Sequence, residues 1–346
     1  MAIRIALDAM GGDRAPLPEI VGAVEAYRRF GVQTILVGDE ARLRQELLRL
    51  KVSESDLGLS IVHADEVVTM DDPPMTPIRK KRKSSLRIAG ELVKSGEAQG
   101  LVSAGNTGAV MATAKLVIGG IEVVERPALA TWLPHPKGAS LVLDVGANSD
   151  CKASHLQQFA IMGSIYASQV TGIENPRVAL LSIGEEDIKG NDLTKEVFKL
   201  LQQSDLNFTG NVEGHGLFAG EADVIVTDGF TGNVVLKTGE SVYEYISQAL
   251  RQGFGRTLRT KAGYLLSKPV FKELKAKMDY AEYGGALLLG VKAVTIICHG
   301  RSQPKAIMNA LRLARDFCVA GLNQRIVDQI QARMREPNNG KHSVAN

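Results

Sequence analysis

The stretch GLVSAGNTGAVMATAKL, residues Gly100–Leu116, decides the fold class of this 346-residue chain. It begins with the apolar run Gly100–Ser103, which has the length and composition of a strand buried on both faces. A turn with two glycines follows, and a helical pattern then continues over Ala109–Leu116. A buried strand that leads through a short turn into a helix is the repeating unit of α/β folds.

The same unit recurs along the chain. Seven further apolar runs precede a glycine or small polar residue and then a helical pattern: Ile3–Leu7, Thr34–Val37, Ser60–His63, Leu141–Leu143, Val178–Ser182, Val224–Thr227 and Val294–Ile297. Such alternation is typical of a parallel sheet with helices on both faces. The sequence therefore predicts an α/β, three-layer, Rossmann-like fold with a mostly parallel sheet. We predict a single catalytic domain over residues 1–336, a helical protrusion at about 241–283 and a disordered tail at 337–346.

Composition argues against several classes of protein. No apolar run approaches the roughly 18 residues that a membrane-spanning helix needs, and Met1–Asp8 has the pattern of a strand rather than of a signal peptide. Cys151, Cys298 and Cys318 lie far apart without a CxxC pair, so we predict neither a zinc site nor a disulfide framework. A reducing cytoplasm fits this cysteine usage. The net charge of +3 gives no indication of a nucleic-acid partner.

The segments that follow the predicted strands share one feature. Nearly all pair a glycine with a hydrogen-bonding side chain: Asp8–Asp13, Ser103–Gly108, Asp144–Asn148, Ile183–Asp187, Asp228–Asn233 and His299–Gly300. In open α/β sheets, ligands bind outside the carboxyl ends of the strands. A purely structural connection needs only one glycine or one cap, so the density of both predicts a polar, anionic ligand.

Ser103–Gly108, the first glycine loop, is the sharpest of these patterns. Its backbone N–H groups lie at the start of a predicted helix, where free donors and the helix dipole favour phosphate. The alternative is a plain N-cap loop, since Asn and Thr are common caps. On the phosphate interpretation, the candidate ligands are Ser103, Gly105, Asn106, Thr107 and Gly108.

Asp228–Asn233, the second glycine loop, repeats the design after the run Val224–Thr227. Two glycines frame Thr231, and Asn233 opens the next helix. Asp228 and Thr231 are candidate substrate ligands. Asn233 is a candidate donor to an oxyanion, and the alternative is that it only caps the helix.

Lys189 is a lone cation in the acidic segment after a predicted strand. Most such lysines are solvated, but a position just beyond a strand end favours contact with a phosphate, for which lysine acts as a point charge. The glycines around His215 resemble a dinucleotide fingerprint, but Val224 begins the next strand too soon for the helix that would hold a pyrophosphate. We find no nucleophile–base motif either.

Two basic stretches remain. The first, called here the basic run, comprises Arg79, Lys80, Lys81, Arg82 and Lys83, and it is dense enough to bind an acidic partner. The second mixes cations with apolar residues between 251 and 278. A basic amphipathic helix can lie on an anionic membrane surface or form a dimer face. The candidate membrane or dimer contacts are Leu265, Leu266, Val270 and Phe271.

Taken together, these motifs resemble one family, the acyl-(acyl carrier protein):phosphate acyltransferases of bacterial phospholipid synthesis. The matching segments are Asp8–Asp13, His63–Val67, Ser103–Ala109, Leu143–Asn148, Phe159–Ser164, Asp228–Lys237 and Tyr283–Gly290. The resemblance implies a Rossmann-like homodimer akin to phosphotransacetylases and isocitrate-type dehydrogenases, without a metal or an organic cofactor. It also implies acyl carrier protein and inorganic phosphate as substrates. The cysteine usage predicts a cytoplasmic enzyme, and the second basic stretch, where it does not form a dimer face, predicts peripheral association with the inner face of the membrane.

The chain departs from the family pattern at His215-Gly216, where Arg-Asp is common, and at Ile297, where a lysine is common. The implied reaction is attack of phosphate on the thioester, for which no protein nucleophile is needed. We predict that Lys189 and Asn233 are catalytic and stabilise the phosphate or the oxyanion, with their roles interchangeable. The rival hypotheses are an isocitrate-type dehydrogenase and a binding module without chemistry.

Overall fold

The computed structural model describes residues 3–53, 58–278 and 284–335. Within these residues eleven strands form one sheet. The strands are β1 (Arg4–Asp8), β2 (Gln33–Gly38), β3 (Leu59–His63), β4 (Gly100–Ser103), β5 (Ala128–His135), β6 (Gly138–Leu143), β7 (Val178–Leu181), β8 (Phe208–Val212), β9 (Val224–Val226), β10 (Ala286–Leu289) and β11 (Val294–Ile297). All eight strands predicted from the sequence are present, with bounds that differ by at most a few residues.

Helices connect most of the strands. They are α1 (Leu17–Phe30), α2 (Glu40–Arg49), α3 (Thr76–Arg79), α4 (Ser85–Lys94), α5 (Thr107–Thr113), α6 (Ala153–Thr171), α7 (Asp192–Gln202), α8 (Gly229–Gly255), α9 (Leu258–Met278), α10 (Pro304–Ala320) and α11 (Leu322–Arg335). Helix α5 continues directly into a π-helix at Ala114–Gly119. The end of α8 and all of α9 correspond to the predicted protrusion, whose last residues, 279–283, lie outside the described residues. The predicted tail at 337–346 also lies outside them.

The sheet has the order β3-β2-β1-β4-β11-β10-β5-β6-β9-β7-β8. Three neighbouring pairs are antiparallel, namely β11 with β10, β10 with β5 and β5 with β6. All other pairs are parallel. The prediction of an α/β fold with a mostly parallel sheet is therefore confirmed, with an antiparallel centre that the sequence pattern did not indicate.

Alternate residues of the strands enter two separate cores, as a sheet covered on both faces requires. Ile5 and Leu7 of β1 pack with α1, α6 and α10, whereas Ala6 between them packs with α4 and α5 on the other face. This confirms the three-layer architecture. No helix in the described part of the chain is both long and apolar enough to span a bilayer.

The antiparallel centre reverses the strand direction between the two halves of the sheet. In a flat sheet the carboxyl ends of β1 and β4 would therefore lie at the edge opposite those of β6 and β9. Neighbouring strands rotate by roughly 20–25°, so the five steps from β4 to β9 turn the second half by about 100–125°. A twist of this size turns the carboxyl ends of the two halves away from opposite edges and toward each other.

Candidate active site

The first glycine loop begins at a serine that is fully buried at the end of β4. The Ser103 hydroxyl donates to Asp8 Oδ2 at 2.8 Å, and its oxygen accepts from the Gly105 N–H at 3.0 Å. Asp8 ends the neighbouring strand β1 and is itself buried. Ser103 therefore ties two strand ends together, and its hydroxyl proton is committed to Asp8 rather than free for a ligand.

Asn106 is the N-cap of α5. Its Oδ1 accepts from the Ala109 N–H at 3.0 Å, and its Nδ2 donates to the carbonyl oxygens of Met70 at 2.8 Å and Asp72 at 2.9 Å. Both ends of the amide are therefore occupied. The alternative of a capping role, raised for this loop from the sequence, describes the Asn106 side chain in this structure.

Three backbone N–H groups and one hydroxyl of the first glycine loop have no hydrogen-bond partner among the described residues. The N–H groups of Asn106, Thr107 and Gly108 make no hydrogen bond with the described residues, as expected for a first helical turn. Thr107 is exposed, and its hydroxyl is likewise without a partner among these residues. These donors lie together at a helix N-terminus, which is the arrangement that binds anions.

The segments after β1 and β11 close around this loop. A Cβ atom on Gly11 would lie 2.5 Å from Asp8 Oδ2 and 2.9 Å from the Gly105 nitrogen, so both glycines are required for the approach of the two backbones. The Asp13 N–H donates to the Gly300 carbonyl at 2.9 Å. Three strand ends therefore meet at the first glycine loop.

The second glycine loop is organised around a buried carboxylate. Asp144 Oδ1 accepts from the N–H groups of Leu129, Gly146 and Ala147 at 2.9–3.1 Å. Its Oδ2 accepts from the backbone N–H and the side-chain amide of Asn148 at 2.7 and 2.8 Å. Burial raises the pKa of the Asp144 carboxyl, while the Ala147 and Asn148 donors favour its charged form. Five donors and no acceptor leave the carboxylate satisfied only as an anion.

Helix α8 starts against this carboxylate. A Cβ on Gly229 would lie 2.6 Å from Asp144 Oδ2, and one on Gly232 would collide with the Asp144 carbonyl. Asp228 is the N-cap and accepts from both the N–H and the hydroxyl of Thr231 at 2.8 Å. Asp228 and Thr231, both predicted as substrate ligands, thus satisfy each other in this structure.

The two predicted catalytic side chains are exposed and uncommitted. Asn233 lies one turn into α8, with Oδ1 3.4 Å from the position of a Cβ on Gly146, and its amide makes no hydrogen bond with the described residues. Lys189 lies in the segment after β7, packed along Gly184, and its ammonium makes no ion pair within that same part of the chain. Both groups follow carboxyl ends of strands in the second half of the sheet.

The two glycine loops are not in direct contact: no hydrogen bond or ion pair joins them in the part of the chain that the structure describes. Helix α8 connects their surroundings. It begins at the second loop, and Glu244 on its fifth turn lies 3.4 Å from Arg301, which follows β11 beside the first loop. Fifteen residues of helix correspond to about 22 Å. Helix α8 therefore leads from Asn233, beside the second loop, to the segment beside the first loop.

A cavity of about 640 Å³ adjoins the second loop. It lies between the starts of α6 and α7, and its lining includes Cys151, Lys152, Leu193 and Leu200. The Cys151 thiol donates to the carbonyl of Asn148, the residue that holds Asp144. This depression is open to solvent, and its lining includes the charged side chains of Lys152, Asp192 and Glu196.

The basic run is partly exposed and lies next to the first glycine loop. Lys81 is the one residue of the basic run that is not exposed. Its ammonium is 2.5 Å from Asp72 Oδ2 and donates to the Val67 carbonyl. Asp72 in turn accepts from Asn106 through its backbone carbonyl. Lys81 therefore holds the loop that Asn106 also holds, whereas Arg79, Lys80, Arg82 and Lys83 are exposed. Lys83 pairs with the exposed Asp65 at 3.1 Å.

The apolar residues predicted on the protrusion divide into two groups. Leu265, Leu266 and Val270 are exposed on α9, with Leu266 at 85%. Phe271 instead contacts the rings of Phe254 and Tyr264, at centroid distances of 5.1 and 5.5 Å. The aromatic cluster holds α9 against α8, and the exposed leucines and valine form a separate apolar patch. We call Leu265, Leu266 and Val270 the α9 patch.

A second apolar surface lies on α8. Val242, Tyr245, Ile246 and Leu250 are exposed and spaced at i, i+3, i+4 and i+8, which places them on one helical face. The sequence analysis did not single them out. Their spacing was available in the sequence, and they lie within the predicted protrusion, but only the structure shows that this face of α8 is exposed.

One group of side chains has spacing that a metal ion would need. The ligand atoms of Glu185, His215 and Glu221 lie within 4.8 Å of one another, and all three residues are exposed. Exposed acidic groups are common without an ion, so we assign no metal site to this group.

Comparisons with known proteins agree on one family. The family model described as fatty acid synthesis protein matches residues 3–325. The phosphate acyltransferase of Trichlorobacter lovleyi is 52% identical over 328 residues, covering 95% of this chain and 94% of that protein. The phosphate acyltransferase of Aquifex aeolicus is 48% identical over 334 residues, covering 96% and 98%.

Solved structures agree on the fold. A phosphotransacetylase from Streptococcus pyogenes superposes with a TM-score of 0.60 at 17% identity, covering 92% of this chain and 94% of that one. A phosphotransacetylase from Staphylococcus aureus gives a TM-score of 0.58 at 16% identity, with the same coverage. The likeness to phosphotransacetylases that the sequence motifs implied is therefore confirmed at the level of fold.

Proposed function

This chain belongs to the phosphate acyltransferase family of fatty acid and phospholipid synthesis, and we propose that it moves a fatty acyl group from acyl carrier protein to inorganic phosphate. A phosphate oxygen attacks the thioester carbonyl and forms a tetrahedral oxyanion. The carbon–sulfur bond then breaks, and the carrier leaves as a thiolate that takes up a proton. The product is an acyl phosphate. Phosphate is already an anion near neutral pH, so the protein's task is positioning and charge stabilisation.

Phosphate binds at the first glycine loop in this proposal. The observation that carries it is the set of unpaired N–H groups of Asn106, Thr107 and Gly108, together with the free Thr107 hydroxyl. Gly11 and Gly105 let the backbones approach closely enough to leave the donors accessible. Ser103 and the Asn106 side chain contribute indirectly, because they hold the loop in shape.

Asn233 and Lys189 act from the second half of the sheet in this proposal. An uncommitted amide and an unpaired ammonium can both donate to a developing oxyanion without first breaking an existing bond. The thioester carbonyl is placed between them and the bound phosphate. Which of the two donors meets the oxyanion and which meets the phosphate is interchangeable in this mechanism.

The test of the reaction is direct. The chain is incubated with a long-chain acyl–acyl carrier protein and phosphate, and hydroxylamine traps the acyl phosphate as a hydroxamate. We expect hydroxamate that depends on both substrates. A dehydrogenase would instead bind a nicotinamide cofactor, and a pure binding module would bind the carrier without forming hydroxamate; either outcome rejects the proposal.

The carrier docks on the basic run in this proposal. Acyl carrier proteins are acidic, and four of the five cations are exposed beside the first glycine loop. We therefore expect the triple change Arg79→Glu, Lys80→Glu and Arg82→Glu to raise the KM for the carrier by about tenfold at low salt. The difference should shrink as salt is added, because exposed charges are screened over about 8–10 Å. Initial rates against carrier concentration measure it.

The matched control reverses three cations at the last turns of α1 and α4, namely Arg28, Arg29 and Lys94. This changes the net charge equally but away from the loops, and it should leave the KM within about twofold. Lys81 is kept in both variants because its ion pair with Asp72 supports the first glycine loop. Equal KM values for the two triple variants would move the docking site elsewhere.

The protrusion serves assembly and membrane contact in this proposal. The stripe of Val242, Tyr245, Ile246 and Leu250 on α8 is a dimer face, since an exposed apolar face at helical spacing favours pairing with a second copy. The α9 patch of Leu265, Leu266 and Val270 lies among cations and contacts the membrane surface peripherally. Phe271 stabilises the hairpin from inside.

Leu266→Glu tests the membrane contact. Wild type should sediment with anionic vesicles and less with neutral ones, because each nearby cation contributes about 1 kcal/mol with anionic lipid. Leu266→Glu should abolish sedimentation while the molecular mass in solution stays that of wild type. The control Leu48→Glu changes an equally exposed leucine on α2 and should sediment like wild type. If Leu266→Glu yields monomers from a wild-type dimer, the α9 patch belongs to the dimer interface.

A further inference from the structure

The carboxyl group of Glu19 is buried against the segment Asp8–Asp13. This segment lies next to the first glycine loop. Glu19 lies in the first turn of α1, is only 1% exposed, and packs with Oε1 against Gly12. Its other oxygen, Oε2, is buried and makes no hydrogen bond with the described residues. Burying an ionised carboxylate with one oxygen unpaired costs several kcal/mol of folding free energy. A protonated carboxyl avoids this cost because it carries no charge. No step proposed above uses this residue.

Several titratable groups lie near Glu19, on β1, on the segment after it and after β11. Asp8 of β1 is the second buried acid, and it is held by the Ser103 hydroxyl and the Met10 N–H. Asp13 follows in the same segment, and Cys298 and His299 follow β11. Burial raises the pKa of Glu19 to about 7, and the negative charge of Asp8 adds to this.

His299 offers no compensating charge, because burial lowers the pKa of its imidazole. Burial also raises the pKa of Asp8, against hydrogen bonds from the Ser103 hydroxyl and the Met10 N–H. The two carboxyls therefore lie close together in a poorly solvated place, where like charges disfavour each other. Both oxygens of Asp8 accept a hydrogen bond, whereas Glu19 Oε2 has no partner among the described residues, so Glu19 is the one that holds the proton.

We infer that Glu19 is a positioning residue that must carry a proton for the first glycine loop to bind phosphate well. This rests on the proposed function for the place where phosphate binds. Gly11 touches both Asp8 and Gly105, so the acid pair lies immediately behind the loop backbone. Ionised Glu19 would add a second negative charge behind the N–H groups that receive the phosphate dianion.

The experiment compares wild type with Glu19→Gln, which has the same shape but cannot ionise. If only the protonated form binds phosphate, the KM for phosphate rises with the ionised fraction, by about tenfold between pH 6 and pH 8. We therefore expect the KM for phosphate of wild type, divided by that of Glu19→Gln, to rise about tenfold between pH 6 and pH 8. The kcat should change with pH in the same way in both proteins. Taking the ratio removes the titration of phosphate itself.

Glu19→Met, a second neutral side chain of similar length, should give the same pH dependence as Glu19→Gln and covers the case in which Glu19→Gln does not fold. Glu25→Gln, on the exposed side of the same helix, is the matched control and should follow wild type. A ratio that stays constant from pH 6 to pH 8 in both neutral variants overturns the inference.

Thermal unfolding gives a readout that does not depend on catalysis. A carboxyl whose folded pKa lies above its unfolded value stabilises the fold fully below about pH 4.5, and that contribution is lost as pH rises to about 7. The melting temperature of wild type should therefore fall relative to Glu19→Gln between pH 5 and pH 8. Parallel curves would overturn the inference. If the melting temperatures diverge with pH but the enzyme forms no acyl phosphate, the proposed function is rejected, while the protonation of buried Glu19 is supported.

Discussion

Asn233→Ala should fold like wild type and lose about 10²- to 10³-fold in kcat, which is the usual effect of removing one oxyanion donor. The expected fold is unchanged because the Asn233 side chain is exposed and makes no hydrogen bond with the described residues. Lys189→Ala should show a loss of similar size for the same reason. The measurement is the rate of hydroxamate formation at saturating carrier and phosphate, with circular dichroism to check folding.

Matched controls exist for both changes. Asn175→Ala removes an exposed asparagine side chain at the far end of α6, and Lys195→Ala removes an exposed lysine on α7, six residues after Lys189. Both controls should keep wild-type kcat within about twofold, as surface changes away from a site usually do. If Asn233→Ala and Lys189→Ala turn over as fast as their controls, the oxyanion is stabilised elsewhere.

The combination of the two changes separates their roles. If Asn233 and Lys189 donate to the same oxyanion, the double variant should lose less than the product of the single losses, since groups that act as a unit are not additive. If Lys189 holds the phosphate instead, Lys189→Ala should raise the KM for phosphate, and Asn233→Ala should not.

The strands that could be predicted from the sequence are those with an unbroken apolar run and a helix after them. Each of the three that were missed lacks at least one of these properties. In β8 only Val212 is buried, because this strand forms an edge of the sheet. β5 and β10 pair antiparallel at the centre, and β5 turns back into β6 without a helix. The strand–helix rhythm that predicted the parallel halves therefore carried no signal for the centre between them.

The glycine loops could be located from the sequence, but the roles within them could not all be assigned. The residue types that bind phosphate are also those that cap helices, and Asn106 and Asp228 are both N-caps in the structure. Deciding between the roles requires the partners of each amide and carboxylate, which depend on segments far away in the chain. Met70 and Asp72, for example, accept from Asn106 across more than thirty residues.

The buried acids behind the loops were missed altogether. Asp8 and Asp144 were recognised only as parts of glycine-containing segments, and Glu19 was not singled out. A signal for the first two exists, since each acid directly ends an apolar strand and is followed by a glycine within three residues. No comparable signal exists for Glu19, because a glutamate in the first turn of a helix usually lies in water and interacts with the helix dipole.

Asp144→Asn should be the most damaging single change for stability, at about 3–6 kcal/mol. The carboxylate accepts five N–H bonds, three on Oδ1 and two on Oδ2. An asparagine amide turns one of these oxygens into a donor, so whichever way it lies at least two donors lose their acceptor, each worth about 1.5–3 kcal/mol with a charged partner. The loss is a large part of the roughly 5–15 kcal/mol that stabilises a typical protein. Urea unfolding measures it.

Asp150→Asn makes the same chemical change six residues later, at an exposed position in the same connection, and should alter stability by no more than about 0.5 kcal/mol. Activity should separate the two variants further. Gly229 and Gly232 pack against Asp144, so a displaced Asp144 shifts the start of α8 and with it Asn233. Asp144→Asn should therefore lower kcat at a temperature at which the variant is still folded, because a displacement of about 1 Å costs up to 10²-fold in rate. If Asp144→Asn unfolds at the same urea concentration as Asp150→Asn, the five hydrogen bonds do not hold the second glycine loop.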